Sequence, residues 1–560
     1  MCGIWSLVQT KKIGKETFAK NYIPKCNSIQ SRGPDKTNIQ IINNVAVCFH
    51  RLAIHDLSPL GDQPFIWHGD NGNTYVLIAN GEIYNYKELI KRHQFVMKSD
   101  SDCEVIFHLY YKYKNMHTVL QELRGEFAFV LHVIMNMETF TFIARDPYGV
   151  RPLFYVSENY DNKTTFVASS LLSGIAPVIS ETSVPKVFPP GHFITVITTE
   201  KSINTIDNVY YKLPNPKKRI QDSNVLYWEI TSRFIEAVKT RLDSERPIGA
   251  LLSGGLDSSL VCAVASKILG VKNLNTFSIG MKGGTDLDYA NEVATHIGSN
   301  HTQFMITSEN ALNAIDAVLN TTETWDITTI RASVGQYLLA KYISSQTDIK
   351  VILNGDGADE VEMGYLYFYL APTPEEAQTE TEKLVQEIHR YDGLRVDRCI
   401  SNFGLEARLP FLDQNFVDYY MAIDPALKIP TKDRMEKQLI RDAFSTLYPD
   451  LLPKGVMYRK KEAFSDGISA KEKSWFQIIG EWIDTKVTDD EYSSSRSNNS
   501  ESGSGSDIYN SCKSKESYYY KKHFVEKFGK QAIDVIPHYW LPNWIDTDGE
   551  PSARVLDVYK

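Results

Sequence analysis

Hydrophobic patterning changes abruptly near residue 210, and the two patterns cannot belong to one layer of structure. Before that point, short apolar runs recur between Gly, Pro and Asn turns: Ile4–Val8, Val45–Phe49, Tyr75–Ala79, Phe127–Ile134, Phe140–Ala144 and Phe193–Ile197. Runs of this length and spacing predict sheets stacked on sheets. A helix is expected from Ser101 through Tyr113, with Ser101 or Asp102 as cap and Glu104 in its first turn. Beyond it, long helical patterns such as Leu226–Leu242 alternate with short buried strands at Ile248–Leu252, Asn275–Ile279 and Val351–Leu353. That alternation predicts a parallel sheet covered by helices. The chain therefore divides into 2–208, a linker at 209–224 carrying prolines and the basic cluster Lys217-Lys218-Arg219, and 225–560. Residues 493–507 read SSSRSNNSESGSGSD; with no apolar residue to bury, they are expected to form a disordered loop.

Charge and cysteine usage exclude several function classes. The net charge of −9 opposes a sequence-independent grip on nucleic acid. The longest apolar stretch, Phe127–Met135, is far short of the ~20 residues that span a bilayer, so no membrane partner is expected. The seven cysteines are scattered, with no Cys-x-x-Cys pair and no His-Glu-x-x-His, which argues against a disulfide framework and a zinc site. Free thiols point to a reducing, cytoplasmic setting.

Two constellations carry chemistry. Cys2 follows the initiator methionine; with Met1 removed, one residue would hold both a thiol and the α-amine that can serve as its base. The second lies after the strand Ile248–Leu252, where Ser253-Gly254-Gly255-Leu256-Asp257-Ser258-Ser259 leads into a helix expected to start near Ser258. Two glycines allow close approach to an anion, and the helix start presents unpaired N–H groups. Asp257 suits Mg²⁺ rather than phosphate, and the lysine of an ordinary P-loop is missing. The strand Val351–Leu353 ends similarly, in Asn354-Gly355-Asp356-Gly357-Ala358-Asp359-Glu360, and paired strand-end loops of this kind are where open α/β sheets bind nucleotides.

The segments around Cys2 occur in a telling order: Met1-Cys2-Gly3-Ile4-Trp5, Arg32-Gly33-Pro34-Asp35, His50-Arg51-Leu52-Ala53-Ile54, Asn80-Gly81-Glu82-Ile83-Tyr84-Asn85, Ser101-Asp102-Cys103-Glu104 and Arg145-Asp146-Pro147-Tyr148-Gly149-Val150-Arg151-Pro152-Leu153. Together they resemble the N-terminal-nucleophile glutaminase domain of the class II amidotransferases. The Ser253–Ser259 loop resembles that of the ATP pyrophosphatases. With Gly404-Leu405-Glu406-Ala407-Arg408-Leu409-Pro410-Phe411-Leu412-Asp413 and Arg459-Lys460-Lys461-Glu462-Ala463-Phe464-Ser465-Asp466-Gly467, the whole arrangement resembles the glutamine-hydrolysing asparagine synthetases over about residues 1–485 and from about Lys515 onward.

The resemblance implies a four-layer α/β/β/α glutaminase domain followed by an α/β domain of the ATP-pyrophosphatase type. It implies that ATP, aspartate and glutamine give asparagine, glutamate, AMP and diphosphate, through a thioester on Cys2 and a β-aspartyl-AMP intermediate. Arg51 would hold the glutamine α-carboxylate. Glu82 and Asp102 would hold its ammonium, and the Asn80 side chain with the Gly81 N–H would form the oxyanion hole. Leu52, Ala53, Ile54 and His55 complete the expected glutamine pocket. Taken alone, Asn80-Gly81 reads as a hairpin turn. ATP would contact Leu251, Ser253, Gly254, Gly255, Asp257, Ser258, Ile279, Asn354 and Gly355, with Mg²⁺ on Asp257 and Asp359 and with Lys461 neutralising the phosphates. The expected assembly is a homodimer acting on small molecules.

Two positions depart from the family pattern. Ser31 stands where relatives usually have His, and Asp356 where they usually have the Glu linked to forming the adenylate. Two other readings stay open from sequence: a related amidotransferase adenylating a different carboxylate, and a degenerate non-catalytic homologue.

Overall fold

The computed structural model describes residues 1–69, 72–160, 163–176, 183–215, 219–462, 473–496 and 507–545. In the N-terminal half the strands are β1 (Gly3–Gln9), β2 (Lys36–Ile42), β3 (Val45–Arg51), β4 (Phe65–His68), β5 (Thr74–Ile83), β6 (Gly125–Ile134), β7 (Thr139–Arg145), β8 (Phe154–Tyr160), β9 (Lys163–Ser169), β10 (Lys186–Val187), β11 (His192–Thr198) and β12 (Ile203–Val209). They form two antiparallel sheets, ordered β10-β8-β9-β1-β3-β2 and β12-β11-β7-β6-β5-β4.

Strand periodicity explains the layering. Alternate residues Ile4 and Val8 of β1, Val45, Val47 and Phe49 of β3, and Val76, Ile78, Ala128 and Val130 of β5 and β6 meet between the sheets. The opposite faces carry Tyr75, Leu77, Phe127, Phe129 and Leu131 toward the helices Val105–Tyr113 and Met116–Glu122. Trp5, Leu7, Ala46 and Cys48 pack on the other side, with Phe18 and Cys26 from short helices. The result is helix, sheet, sheet, helix, as the resemblance implies.

The C-terminal half holds a wholly parallel sheet of β13 (Ile248–Leu251), β14 (Asn275–Gly280), β15 (Asn300–Met305), β16 (Val351–Leu353) and β17 (Glu406–Arg408), ordered β15-β14-β13-β16-β17. The strand order reverses between β13 and β16, so the loops leaving these two strands diverge and open a crevice.

Several local expectations are corrected. The first-half helix starts later, at Val105, after a tight turn over Asp102–Glu104, and Ser101 makes no side-chain cap. An Asp102 oxygen instead accepts from the Ile83 N–H at 2.7 Å. The helix after β13 begins at Leu256 rather than near Ser258. Asn80-Gly81 is no hairpin turn; both residues lie inside β5 and pair with Ala128 and Phe127. The far end of the linker is pinned, with Ile220 bridged to Ile423 and the Arg219 guanidinium donating to the Met421 carbonyl at 2.6 Å; Lys217 and Lys218 lie outside the described residues. Ser493 to Arg496 belong to a helix, Asp489–Arg496, whose three acids at its start suit the helix dipole; residues 497–506 of the expected loop lie outside the described residues.

The two halves meet through buried charge. Arg32 holds Asp397 through two bonds of 2.7 and 2.9 Å, and Glu126 accepts from Arg241 at 3.0 Å and from the Leu409 N–H at 3.3 Å. The Glu323 carboxylate receives the Leu172 and Ser173 N–H groups at 2.7 and 2.9 Å. Buried charges of this kind are tolerated only when paired, so each half completes the other.

Candidate active sites

The first site is built where β1 begins and where β3 and β5 end. Cys2 is half-buried; its Sγ accepts from the Leu52 N–H at 3.4 Å. Burial pushes the thiol up to about 11 and pulls the chain's α-amine, here that of Met1, down to about 6. The Met1 amine donates to the Leu405 carbonyl at 3.1 Å, and Arg32 Nε donates to the Cys2 carbonyl at 3.0 Å. That amine belongs to Met1; only with Met1 removed would Cys2 carry the α-amine that can take its own thiol proton.

Asn80 is fully buried, and neither its side-chain oxygen nor its nitrogen has a partner. Orphaned amides of this kind are costly unless a ligand completes them. Gly81 sits at φ +150°, and a Cβ there would meet the Glu126 carbonyl oxygen at 2.1 Å, so only glycine fits the crossing of β5 and β6. Glu82 lies 3.0 Å from both His55 Nε2 and Arg408 Nη2. Burial, together with the charge of Glu406, raises Glu82 to about 7. Burial disfavours the His55 cation, but the charge of Glu82 prevails and lifts His55 to about 9. Asp102 is buried and raised by its burial. Leu52 and Ile54 form an apolar wall with Cys2, Ile248 and Val351. The Ala53 N–H donates to Asp35 at 2.8 Å, which ties the Arg32–Asp35 segment to this wall.

Arg51 faces a different set of partners from those expected. Its guanidinium donates to the carbonyls of Ser58 (2.9 Å), His55 (3.4 Å) and Asp56, and to Asp62 at 2.6 Å, so it organises the 55–62 loop in this state. Ser31 is exposed on its turn, so the departure there faces solvent rather than Cys2.

The second site is a cleft at the switch point. Leu251, Ser253, Gly255, Asp257, Ser258, Ile279, Asn354, Gly355, Asp356, Asp359 and Lys461 all line it. Gly254 lies behind the wall, where φ +79° turns the loop against Tyr289 and Ala290. The Ser258 hydroxyl meets the Ser253 N–H at 3.2 Å and the Ser253 Oγ at 3.1 Å, so the loop is shaped before any ligand arrives. The Ser259 hydroxyl and the Asn354 amide nitrogen are buried without partners.

Lys437 is the residue the sequence did not single out. It has left-handed backbone, is 2% exposed, and sends Nζ to Asp257 at 2.6 Å and to Asp359 at 2.6 Å. Lys461 also pairs with Asp359. Burial opposes ionisation of Asp359, yet these two ammonium groups hold it well below the usual carboxylate range. Two carboxylates converging on one cationic atom can equally converge on a divalent cation, and their oxygens are the hard donors Mg²⁺ prefers. Asp356 is gripped by Arg395 at 2.7 Å, which also holds Asp392 at 2.6 Å. Burial nevertheless raises the Asp356 carboxyl. Of the Arg459–Gly467 motif, residues 463–467 lie outside the described residues; Arg459 pairs with Asp286 at 2.7 Å.

The family model for the glutamine amidotransferase domain matches residues 1–213, and that for asparagine synthase matches 229–380 and 371–544. The glutamine-hydrolysing asparagine synthetase of Gallus gallus is 39% identical over 589 residues, covering 100% of this chain and 99% of that protein. Those of Mus musculus and Homo sapiens are each 38% identical over 588 residues with the same coverage. The chain belongs to the glutamine-hydrolysing asparagine synthetase family. The two sites thus correspond to the two halves of an asparagine synthetase. The wall beside Cys2 ends on Ile248 and Val351, at the start of the strands whose other ends carry the second cleft.

Proposed function

We propose that the protein makes asparagine from aspartate, taking nitrogen from glutamine and driving the step by cleaving ATP to AMP and diphosphate. The observation that supports this reading is an orphaned Asn80 amide in the half that carries Cys2, together with an apolar wall running from Cys2 to Ile248 and Val351, the first residues of the strands that lead to the switch-point cleft.

With Met1 removed, the Cys2 amine takes the thiol proton and Sγ attacks the glutamine side-chain amide. The Asn80 amide and the Gly81 N–H stabilise the oxyanion, Glu82 and Asp102 hold the α-ammonium, and Arg51 turns from the 55–62 loop to the α-carboxylate. Ammonia leaves and water clears the thioester. Ammonia released into water would be protonated and lost as a nucleophile; the apolar wall of Leu52, Ile54, Ile248 and Val351 leads instead along β13 and β16.

At the far end, Leu251 and Ile279 receive the adenine, and Ser253, Gly255, Ser258, Asn354 and Gly355 receive the phosphates. Asp257 and Asp359 would hold Mg²⁺, which supplies charge neutralisation on the phosphates when bound. The aspartate β-carboxylate attacks the α-phosphorus, diphosphate departs against Lys461 and Lys437, and ammonia displaces AMP beside Asp356. A homodimer in a cytoplasmic setting completes the reading, the latter in keeping with seven free cysteines.

The test is to incubate the full chain with ATP, Mg²⁺, glutamine and a panel of carboxylic acids, measuring AMP and the amide formed. Asparagine and AMP in equal amounts, with aspartate alone, are expected. AMP with another acid, or with none, overturns the reading. Intact mass should show loss of one methionine, and mass in solution should be twice that of the chain.

A further inference from the structure

Strand β17 touches both sites. Leu405, Ala407 and Leu409 turn into the apolar core, while Glu406 and Arg408 face the glutaminase half. Arg408 is wholly buried. Its Nε donates to Glu406 at 2.8 Å, and its Nη1 donates to the carbonyls of Arg241 and Asp243 at 3.0 and 2.6 Å. Its Nη2 lies 3.0 Å from Glu82 Oε2. The backbone of the same residue faces the other way: its carbonyl accepts the Asn354 N–H at 3.0 Å, and Leu353 is its register partner. One residue thus spans the distance from a glutamine-site carboxylate to the first residue of the nucleotide loop.

The side chain has a competitor. Glu82 is held by Arg408 and His55, so an incoming α-ammonium must share or displace these cations. The carbonyl has a partner within reach of the nucleotide: Asn354 also accepts the Asp356 N–H on its side-chain oxygen at 3.0 Å, so phosphates seated on this loop act on Asn354 directly. Paired strands transmit small shifts because their spacing is fixed, and a buried charge pair responds steeply to distance.

We propose that Arg408 is a positioning residue that couples the two sites, releasing Glu82 to glutamine when ATP seats on the Asn354–Asp356 loop. The inference rests on Glu82 as the seat of the glutamine ammonium. By thermodynamic reciprocity glutamine must then tighten ATP by the same factor, and couplings between distinct sites commonly run from about fivefold upward. The gain is economy of nitrogen: amide hydrolysis is favoured when the acceptor machinery is charged.

The experiment uses the full chain carrying Cys2→Ala, which binds glutamine without turnover. The Kd for glutamine is measured by calorimetry with and without saturating α,β-methylene-ATP and Mg²⁺. The nucleotide is expected to tighten glutamine by about fivefold or more. Adding Arg408→Met should bring the ratio to one, while Arg408→Lys, which keeps a cation for Glu82, should restore it. Should Arg408→Met fail to fold, Arg408→Gln, which keeps donors for the Arg241 and Asp243 carbonyls, is read in its place. A ratio of one in the parent, or a ratio in the Met or Gln variant equal to the parent's, overturns the coupling. A parent that binds no glutamine at all overturns the glutamine-site reading instead, so the two failures are distinguishable.

Discussion

Replacing Lys437 by methionine removes the cation that holds Asp257 and Asp359 together. The side chain is 2% exposed, so solvent cannot substitute for it. Glu362 aggravates the loss: it is fully buried, its two oxygens have no hydrogen-bond partner, and its carboxyl is raised well above the usual range by burial. Breaking a buried ion pair by removing one partner costs about 3–5 kcal/mol. For a large domain each kcal/mol shifts the melting midpoint by about 2–4 °C, so the transition of the synthetase half should fall by about 6–20 °C. The methionine also vacates the point on which the two aspartates converge. Mg²⁺ should then bind the variant without displacing an ammonium; at ten times its Kd it restores about 1.4 kcal/mol, or roughly 3–6 °C. Differential scanning calorimetry of both proteins, with and without Mg²⁺, reads both effects. A variant melting within about 1 °C of the parent, or an equal Mg²⁺ shift in both, refutes the reasoning.

Three further outcomes are expected. Asp356→Ala should lower AMP formation by on the order of 100-fold, while Asp356→Glu preserves or raises it; unchanged AMP formation in the alanine variant would remove Asp356 from the chemistry. Because Glu82 is raised to about 7 and must be ionised to hold an ammonium, the KM for glutamine should climb as pH falls below about 7, and Glu82→Gln should leave a high KM that is flat across this range. Gly81→Ala should cost about 1–3 kcal/mol or more and abolish glutamine use, because its Cβ would meet the Glu126 carbonyl at 2.1 Å, while ammonia-dependent synthesis in whatever folds persists; urea midpoints and AMP release check both.

The layering was legible because strand and helix periods differ so plainly on either side of residue 210. The loops after β13 and β16 were legible because glycine and acid residues at strand ends have few other uses. Lys437 was not: it stands alone in Glu436-Lys437-Gln438 with no periodic or turn signal, and only the fold brings it to Asp257, 180 positions away. Arg395 and Arg408 were hidden for a related reason. A buried arginine looks like a surface one until its partners are known, and Asp356 and Glu82 reach them only after the sheet and the two halves assemble. Arg51 shows the converse: its position was read from a motif, but its donors go to carbonyls that no motif records.

The buried charges across the domain junction also bear on how such a protein can be inherited. A glutaminase cut free near residue 208 would bare Arg32, Glu82 and Glu126, while the remaining half would bare Asp397, Arg408 and Arg241. The gene for such an enzyme is therefore not two modules joined by a spacer that recombination can shuffle. A replacement glutaminase would need to bring matching charges with it, so the two halves are expected to change together.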